Sequence, residues 1–512
     1  MNHHWAALAE LGDKARFSGA LRERQESWLR HCLKRNQVSA YLKNFGVDAH
    51  TSPEEFRQQL PLTSYDNLSP FIEHIEQGEE NVLFEGKAIA FERTGGSSGG
   101  NKLIPYSVHS LGDFRTAILP WLSDAINGHD ISSGCAYWSI SPATRPADTT
   151  SGGIPIGLPD GAYLGNDALL SFVELSAAPP WVGSLHSTAE WSIATLYSLL
   201  CRHDLALVSV WSPTFFLMLL DTLEREYAKL GGLLRQGGIV AGYDLHADES
   251  ALDRLNAYMN SLDTRVLWPT LKLVSCWADA SSRPFFNELR RRLPHAKFQG
   301  KGLLATEGVT TIPDKHGQPV LAADSGFFEF LDAHETTYFS WELQSGKQYE
   351  VVMTTSGGLY RYRTGDCVQC EGYSGELPVL RFQGRQGLAS DIVGEKLTEQ
   401  FVDTCLEHIP GFRMLIPQIQ NKPKYVLIMD QRTQIDHSSL GNTVEEHLSK
   451  NPQYAYARNM GQLDALAVLF VRNPLESFVQ RMTRNGARLG DIKVTALRPE
   501  TDWLDTFLEY AQ

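Results

Sequence analysis

The chain has 512 residues, of which 42% are hydrophobic and 21% charged, and its formal net charge is -14. That balance is globular and excludes disordered and collagen-like classes; at roughly 150 residues per domain it allows about three domains around large cores. A negative surface repels phosphate backbones and anionic lipid, which makes nucleic acid and membrane poor default partners.

Residues 1 to about 75 read as helical, because Trp5, Leu8 and Leu11, and later Trp28, Leu29, Cys32 and Leu33, recur every three to four positions. Met1-Asn2-His3-His4 runs into this region without an apolar stretch, so no signal peptide is expected. Ser52-Pro53-Glu54-Glu55 is a helix start, with Pro in the first turn and acids behind it. Between about 80 and 110, β-prone runs at 89–93 and 103–106 flank a glycine-rich loop. From 130 to 300, helices and short apolar strands alternate, with 205–211 read as strand, 213–230 as helix and 266–268 as another buried piece. The longest apolar stretch, 205–220, is shorter than a membrane span of about 20 residues and is interrupted by Ser212-Pro213. From about 320 to 385 the chain is strand-rich, at 327–331, 349–355, 359–363 and 379–383. After Gly384 an α/β segment follows, with strands expected at 425–429 and 466–471, which sets a domain boundary near 385.

The seven cysteines are scattered, which fits a reducing compartment and a soluble, cytoplasmic protein. Only Cys367 and Cys370 have C-x-x-C spacing; with no second pair to complete a zinc site, they read as two small residues in a strand.

Five stretches can carry chemistry. Thr94-Gly95-Gly96-Ser97-Ser98-Gly99-Gly100-Asn101-Lys102 combines glycines that let backbone N–H groups approach an anion with hydroxyl donors and a lysine. It is not the P-loop, since no helix follows at once, and an ordinary flexible turn is the plainer alternative. Gly300-Lys301-Gly302-Leu303-Leu304-Ala305-Thr306-Glu307-Gly308 offers a hydroxyl and a carboxylate to a phosphate-bound Mg²⁺, or is a strand end and turn. Tyr362-Arg363-Thr364-Gly365-Asp366 presents an aspartate, on a tight turn after a strand, that can accept two hydroxyl hydrogen bonds from a ribose; a hairpin turn is the alternative. Gly384-Arg385 is a hinge or a plain linker, and Gly394-Glu395-Lys396-Leu397-Thr398-Glu399 follows it. Gly490-Asp491-Ile492-Lys493-Val494 places a lysine near the C-terminus, where it is either solvated or free to close over a phosphate.

The order of these motifs resembles the adenylate-forming superfamily of acyl-CoA synthetases, nonribosomal adenylation domains and luciferases. Within it the chain is similar to the acyl acid amido synthetases of the Gretchen Hagen auxin-responsive type. The features that carry this are Tyr360-Arg361-Tyr362-Arg363, the 394–399 run, Asn451-Pro452-Gln453-Tyr454 with Arg458, Trp211-Ser212-Pro213-Thr214-Phe215, and the lead-in from Phe56 through Leu60-Pro61-Leu62 to Tyr65.

The resemblance implies an α/β fold, with a large N-terminal adenylating domain of mixed sheets and packed helices (1–385) and a smaller mobile C-terminal α/β domain (386–512). It implies ATP and Mg²⁺ as cofactors, and a carboxylic acid and an amine, in the first place an amino acid, as substrates. Thr94, Gly95, Gly96, Ser97, Ser98, Gly99 and Lys102 would cradle the triphosphate. Ala305, Thr306 and Glu307 would sit at the α-phosphate, with Glu307 on the metal. Tyr362 and Asp366 would face the nucleotide, Asp366 holding the ribose, and Arg385 would lie at the hinge. Lys493 and Lys396 are the two candidates for the catalytic phosphate contact. One position departs from the family pattern: Leu303 stands where an aromatic ring would stack on adenine.

Attack of a carboxylate on the α-phosphate of ATP gives an acyl-adenylate and pyrophosphate, so the needed groups are phosphate-directed N–H donors, a metal and a lysine rather than acids and bases. The implied enzyme is an AMP-forming acid–amine ligase. An acyl-CoA synthetase making a thioester, or a degenerate member that only binds nucleotide or acyl ligand, fits the same motifs. The acyl pocket is less legible: 213–220, with Phe215, Phe216 and Leu217, lines an apolar slot or forms a core helix, and Arg115 and Arg145 are both candidates to meet a polar group on the acid. No feature names the acid, the amine or the oligomeric state.

Overall fold

The computed structural model describes residues 2–94, 102–138, 148–158, 160–420 and 422–509. The N-terminal helices are His3–Lys14, Leu21–Asn36, Ala40–Phe45, Pro53–Gln59 and Tyr65–Glu76. The start at Pro53 is the one expected. Ser52 Oγ accepts from the Glu55 N–H at 3.2 Å, while a Glu55 carboxylate oxygen accepts from the Ser52 N–H at 2.8 Å.

Two four-stranded sheets and one seven-stranded sheet build the large part of the molecule. The first runs Leu103–Tyr106, Ala90–Arg93, Pro155–Ile156, Asp148–Thr149 in spatial order. The second runs Lys297–Gly300, Leu273–Cys276, Leu205–Ser209, Cys135–Trp138, and every pairing in it is parallel. Helices cover both its faces, so Leu205–Ser209 and Leu273–Cys276 are buried at every residue, which is why 205–211 is apolar at every position but Ser209. The seven-stranded sheet is antiparallel: Thr311–Pro313, Pro319–Leu321, Leu377–Arg385, Tyr362–Ser374, Gln348–Thr354, Phe327–Leu331, Thr337–Phe339. Its inner face shares an apolar cluster with the N-terminal helices, where Leu29, Leu33 and Phe56 meet Phe327, Phe330, Val351 and Leu380.

Beyond Arg385 a three-stranded sheet of Arg413–Gln418, Lys424–Asp430 and Ala467–Val471 is flanked by helices His437–Leu448, Pro452–Asn459 and Pro474–Arg484. Cys367 and Cys370 both lie in Tyr362–Ser374, where alternation of half-buried and buried positions turns them to opposite faces. Among the described residues no helix is long and apolar enough to cross a membrane.

Three expectations are corrected. The helix expected over 213–230 ends at Arg225 and restarts at Tyr227. Leu223, Leu230 and Leu234 remain in one core across the break, so the apolar pattern conceals it. Residues 266–268 are the buried piece expected, and they form it as a turn, with the N–H groups of Leu267 and Trp268 both donating to Thr264 O. The strand expected over 359–363 begins only at Tyr362, because Gly358 (φ 84°) and Arg361 (φ 48°) are left-handed. Asp366 is not on a tight turn but inside that strand, paired directly with Arg385.

Candidate functional site

Ala90–Arg93 and Leu103–Tyr106 form a hairpin, closed by the Thr94 N–H donating to Lys102 O at 3.0 Å. Gly95, Gly96, Ser97, Ser98 and Gly99 lie outside the described residues. Lys102 Nζ sits 5.3 Å from the centroid of the Tyr65 ring, and the Tyr65 hydroxyl accepts from the Leu103 N–H at 3.0 Å. The lysine is thus held at the mouth of the loop by the N-terminal helices.

Ala305 and Gly308 exchange backbone hydrogen bonds of 2.9 and 3.2 Å, which makes Thr306 and Glu307 the two tip residues of a tight turn. The Tyr106 hydroxyl donates to Thr306 O at 2.6 Å, fastening this turn to the hairpin. Glu307 is buried, and among the described residues it forms no ion pair. A buried, hard oxygen donor of this kind is one that would hold a magnesium ion.

Asp366 is 8% exposed, and its register partner Arg385 brings its guanidinium to 3.8 Å from the carboxylate. Arg385 is fixed by donating to Thr364 O at 2.9 Å. Gly365, beside the aspartate, has φ 76°, and a Cβ there would come within 3.6 Å of Arg385 Nε. A side chain at 365 would therefore strain the backbone, although its Cβ would touch the arginine only in ordinary contact. Burial raises the Asp366 carboxyl to about 6, opposed by Arg385 and reinforced by Glu307. Glu307 also contributes to the upward push on the buried Tyr362 hydroxyl, after desolvation. The turn of the parallel-sheet layer and the strand of the antiparallel sheet thus converge on one spot.

Lys493 closes the same spot from the C-terminal region. Its Nζ lies 4.3 Å from the centroid of the Phe382 ring. Burial lowers its ammonium, against the raising influence of Glu399, Asp366 and Asp403. Arg488, five residues earlier, reaches Glu92 of the hairpin at 3.7 Å. Lys396 is elsewhere in character: it is exposed with φ 45°, and its neighbour Glu395 is buried, accepting from the N–H groups of Ile392 and Val393 at 2.8 Å. The two lysines named from sequence are not interchangeable in this arrangement.

Models of the GH3 family match three consecutive segments: its N-terminal domain over residues 15–298, its central domain over 319–385 and its C-terminal domain over 399–501. The chain belongs to the GH3 family. Among GH3 relatives, an indole-3-acetic acid-amido synthetase of Arabidopsis thaliana, GH3.4, is 23% identical over 80% of this chain and 74% of its own. A second from the same plant, GH3.15, is 22% identical over 93% of this chain and 85% of its own. The structure of an acyl acid amido synthetase in complex with 2,4-DB superposes with a TM-score of 0.85 at 18% identity, covering 99% of this chain and 96% of that one. A 2-hydroxyisobutyryl-CoA ligase in its postadenylation state gives 0.57 at 11% identity, covering 96% and 91%. At those identities the superpositions show a shared fold.

Other positions in this GH3 chain sort differently. Phe215, Phe216 and Leu217 are all buried within the main apolar cluster, so 213–220 is occupied with core packing. Arg145 lies outside the described residues. Arg115 Nε is buried without a hydrogen-bond partner, facing the backbone at Gly165. Leu303 is partly buried against the cluster of the N-terminal helices. Sequence reasoning missed Phe382 and Asp403 and gave Glu399 no role of its own within the 394–399 run, although all three lie around Lys493. Phe382 reads as an alternating strand residue and Glu399 as the first residue after the Thr398 helix cap. Only the packing of distant segments gives them a role.

Proposed function

We propose that the protein is an AMP-forming acid–amine ligase working in a reducing compartment, the cytoplasm, where its seven cysteines stay as free thiols. In the first half-reaction a carboxylate oxygen attacks the α-phosphorus of ATP. The bond to the bridging oxygen breaks, and pyrophosphate leaves. In the second, an amino-acid nitrogen attacks the acyl carbonyl, AMP departs and the nitrogen loses a proton. The observation that carries this reading is the convergence of Glu307, Asp366 with Arg385, and Lys493 from three remote segments in a family whose relatives are named amido synthetases. Asp366 holds the ribose hydroxyls, Arg385 lies over the nucleotide, and Thr94 to Lys102 takes the phosphates. Glu307, beside Thr306, is the group that would hold Mg²⁺, which when bound offsets phosphate charge. Residues 386–512 are the mobile domain. A thioester product is the weaker reading, since the CoA ligase superposes less closely than the amido synthetase.

The test is acid-dependent exchange of labelled pyrophosphate into ATP, with AMP accumulating once an amine is supplied. ADP and orthophosphate as products would exclude the adenylate mechanism. Mass spectrometry of the product separates amide from thioester.

Asp366→Asn is expected to weaken ATP binding by about 1–3 kcal/mol through loss of charge-assisted hydrogen bonds. The wild-type carboxyl titrates at about 6, so nucleotide affinity should also fall as pH drops through that value, and the Asn variant should lose this dependence. Calorimetric titration across pH 5–8 measures both; an unchanged affinity would leave the aspartate with a purely structural part.

A further inference from the structure

In open parallel sheets, ligands occupy the crevice outside the carboxyl ends of the strands. Here those ends are Gly300, Cys276, Ser209 and Trp138. The next residue after Gly300 is Lys301, which is 7% exposed. Its Nζ donates to Ser209 Oγ at 2.7 Å and lies 4.6 Å from the centroid of the Trp121 ring and 5.1 Å from that of Trp211. The walls are themselves fixed. Trp121 Nε1 donates to Gln299 Oε1 at 2.8 Å, and the Trp277 N–H donates to Trp211 O at 2.8 Å.

An ammonium has three donors, and among the described residues Lys301 spends one, on a neutral hydroxyl. No carboxylate among them pairs with it. The titratable group that faces it is the Cys276 thiol, pushed by burial up to about 12 and therefore neutral. Burial in turn pulls the lysine down to about 7. Two indole faces can stabilise a cation but cannot take its remaining N–H donors. Beyond the Ser209 hydroxyl, no acceptor among the described residues takes the other two N–H donors, and none of the groups assigned above to the nucleotide provides one.

We infer that Lys301, between Trp121 and Trp211 and bonded to Ser209, binds a second oxygen function on the tail of the acyl acid, in the first place a carboxylate, so that the substrate class is a dicarboxylic rather than a plain hydrocarbon or aryl acid. This rests on the proposed acid-activating role. The reacting carboxylate belongs at the Thr306–Glu307 turn, five residues further along the same segment, so the lysine is left for the other end of the molecule. A group this buried serves the acid, which binds before the nucleotide reacts, rather than the acceptor, which arrives last.

The test uses the full chain and matched acids, hexanoate with adipate and benzoate with terephthalate. Quenching of tryptophan fluorescence reports binding without ATP, and AMP release reports turnover. The dicarboxylate of each pair should bind at least about 10-fold tighter to wild type, within what a site built around a hydrogen bond can discriminate. The preference should shrink between pH 6.5 and pH 9 as the lysine loses its proton. Lys301→Met should erase the preference while still binding the monocarboxylates, and Lys301→Arg should restore part of it. Equal affinities within each pair for wild type, or a preference that survives Lys301→Met, overturns the inference. The wild-type comparison needs no variant to fold. Selective binding without AMP would instead sink the ligase reading and leave the lysine site standing; AMP from monocarboxylates and dicarboxylates alike would do the reverse.

Discussion

Lys493→Ala should slow adenylate formation by roughly 10²-fold or more, the scale of a lost charge-stabilising donor, and leave transfer from a supplied acyl-adenylate to the amine largely intact. The reason lies in where the lysine sits. It rests on Phe382, within electrostatic reach of Asp366 and Arg385, on a segment whose Arg488 also touches the hairpin of the phosphate loop. Negative charge builds on the bridging oxygen as pyrophosphate leaves, and an ammonium at that point counts most in the transition state. Transfer to the amine needs the acyl carbon exposed to a second substrate, which the closed C-terminal segment would obstruct. We therefore expect residues 386–512 to rotate between the half-reactions about 384–387, where Gly384 (φ 141°) and Gly387 (φ 94°) bracket Arg385. Single-turnover measurements of the two half-reactions decide the matter. If Lys396→Ala instead slows only adenylation, and Lys493→Ala slows both steps or neither, the exposed Lys396 is the adenylation lysine.

What could be read from sequence was whatever depends on neighbours along the chain. The helix start at Ser52-Pro53, the apolar strand beginning at Leu205 and the strand over 349–355 are local patterns, and each survived into the structure. The order of the phosphate-directed motifs was legible for the same reason. The break at Glu226 was not, because a core continuous on both sides hides it. The setting of Asp366 was misread as a turn because Thr-Gly-Asp is turn chemistry, whereas its surroundings are set by Arg385, nineteen places on. The cage around Lys301 draws on Trp121, Ser209 and Trp211, which no spacing rule brings together.

The twin arginines of Tyr360-Arg361-Tyr362-Arg363 should separate sharply on unfolding in urea. Arg361 is 4% exposed. It makes two bonds to Glu329, of 2.9 and 3.0 Å, and donates to Arg57 O at 2.7 Å and Leu60 O at 2.5 Å. It is therefore the clasp by which the N-terminal helices hold the start of the Asp366 strand, assisted by the Thr63 N–H donating to Arg361 O at 2.9 Å. Its left-handed backbone is tolerated because these contacts fix it. Arg361→Met leaves Glu329 buried with only Arg57 in reach at 3.3 Å, and should cost about 3–5 kcal/mol, the cost of stranding half of a buried pair. Adding Glu329→Leu should recover part of that loss, since the stranded charge is then gone. Arg363 also holds a buried carboxylate, Glu350, whose side chain is 4% exposed, but its own side chain is 31% exposed and its other partner, Glu335, is 66% exposed, so Arg363→Met opens a path for water to Glu350 and should cost less. Equal losses at the two arginines would mean that the helices are held to the strand by their apolar contacts, with the clasp adding little. A large loss at 361 that the second substitution partly repairs is the signature of a buried charge left without its partner.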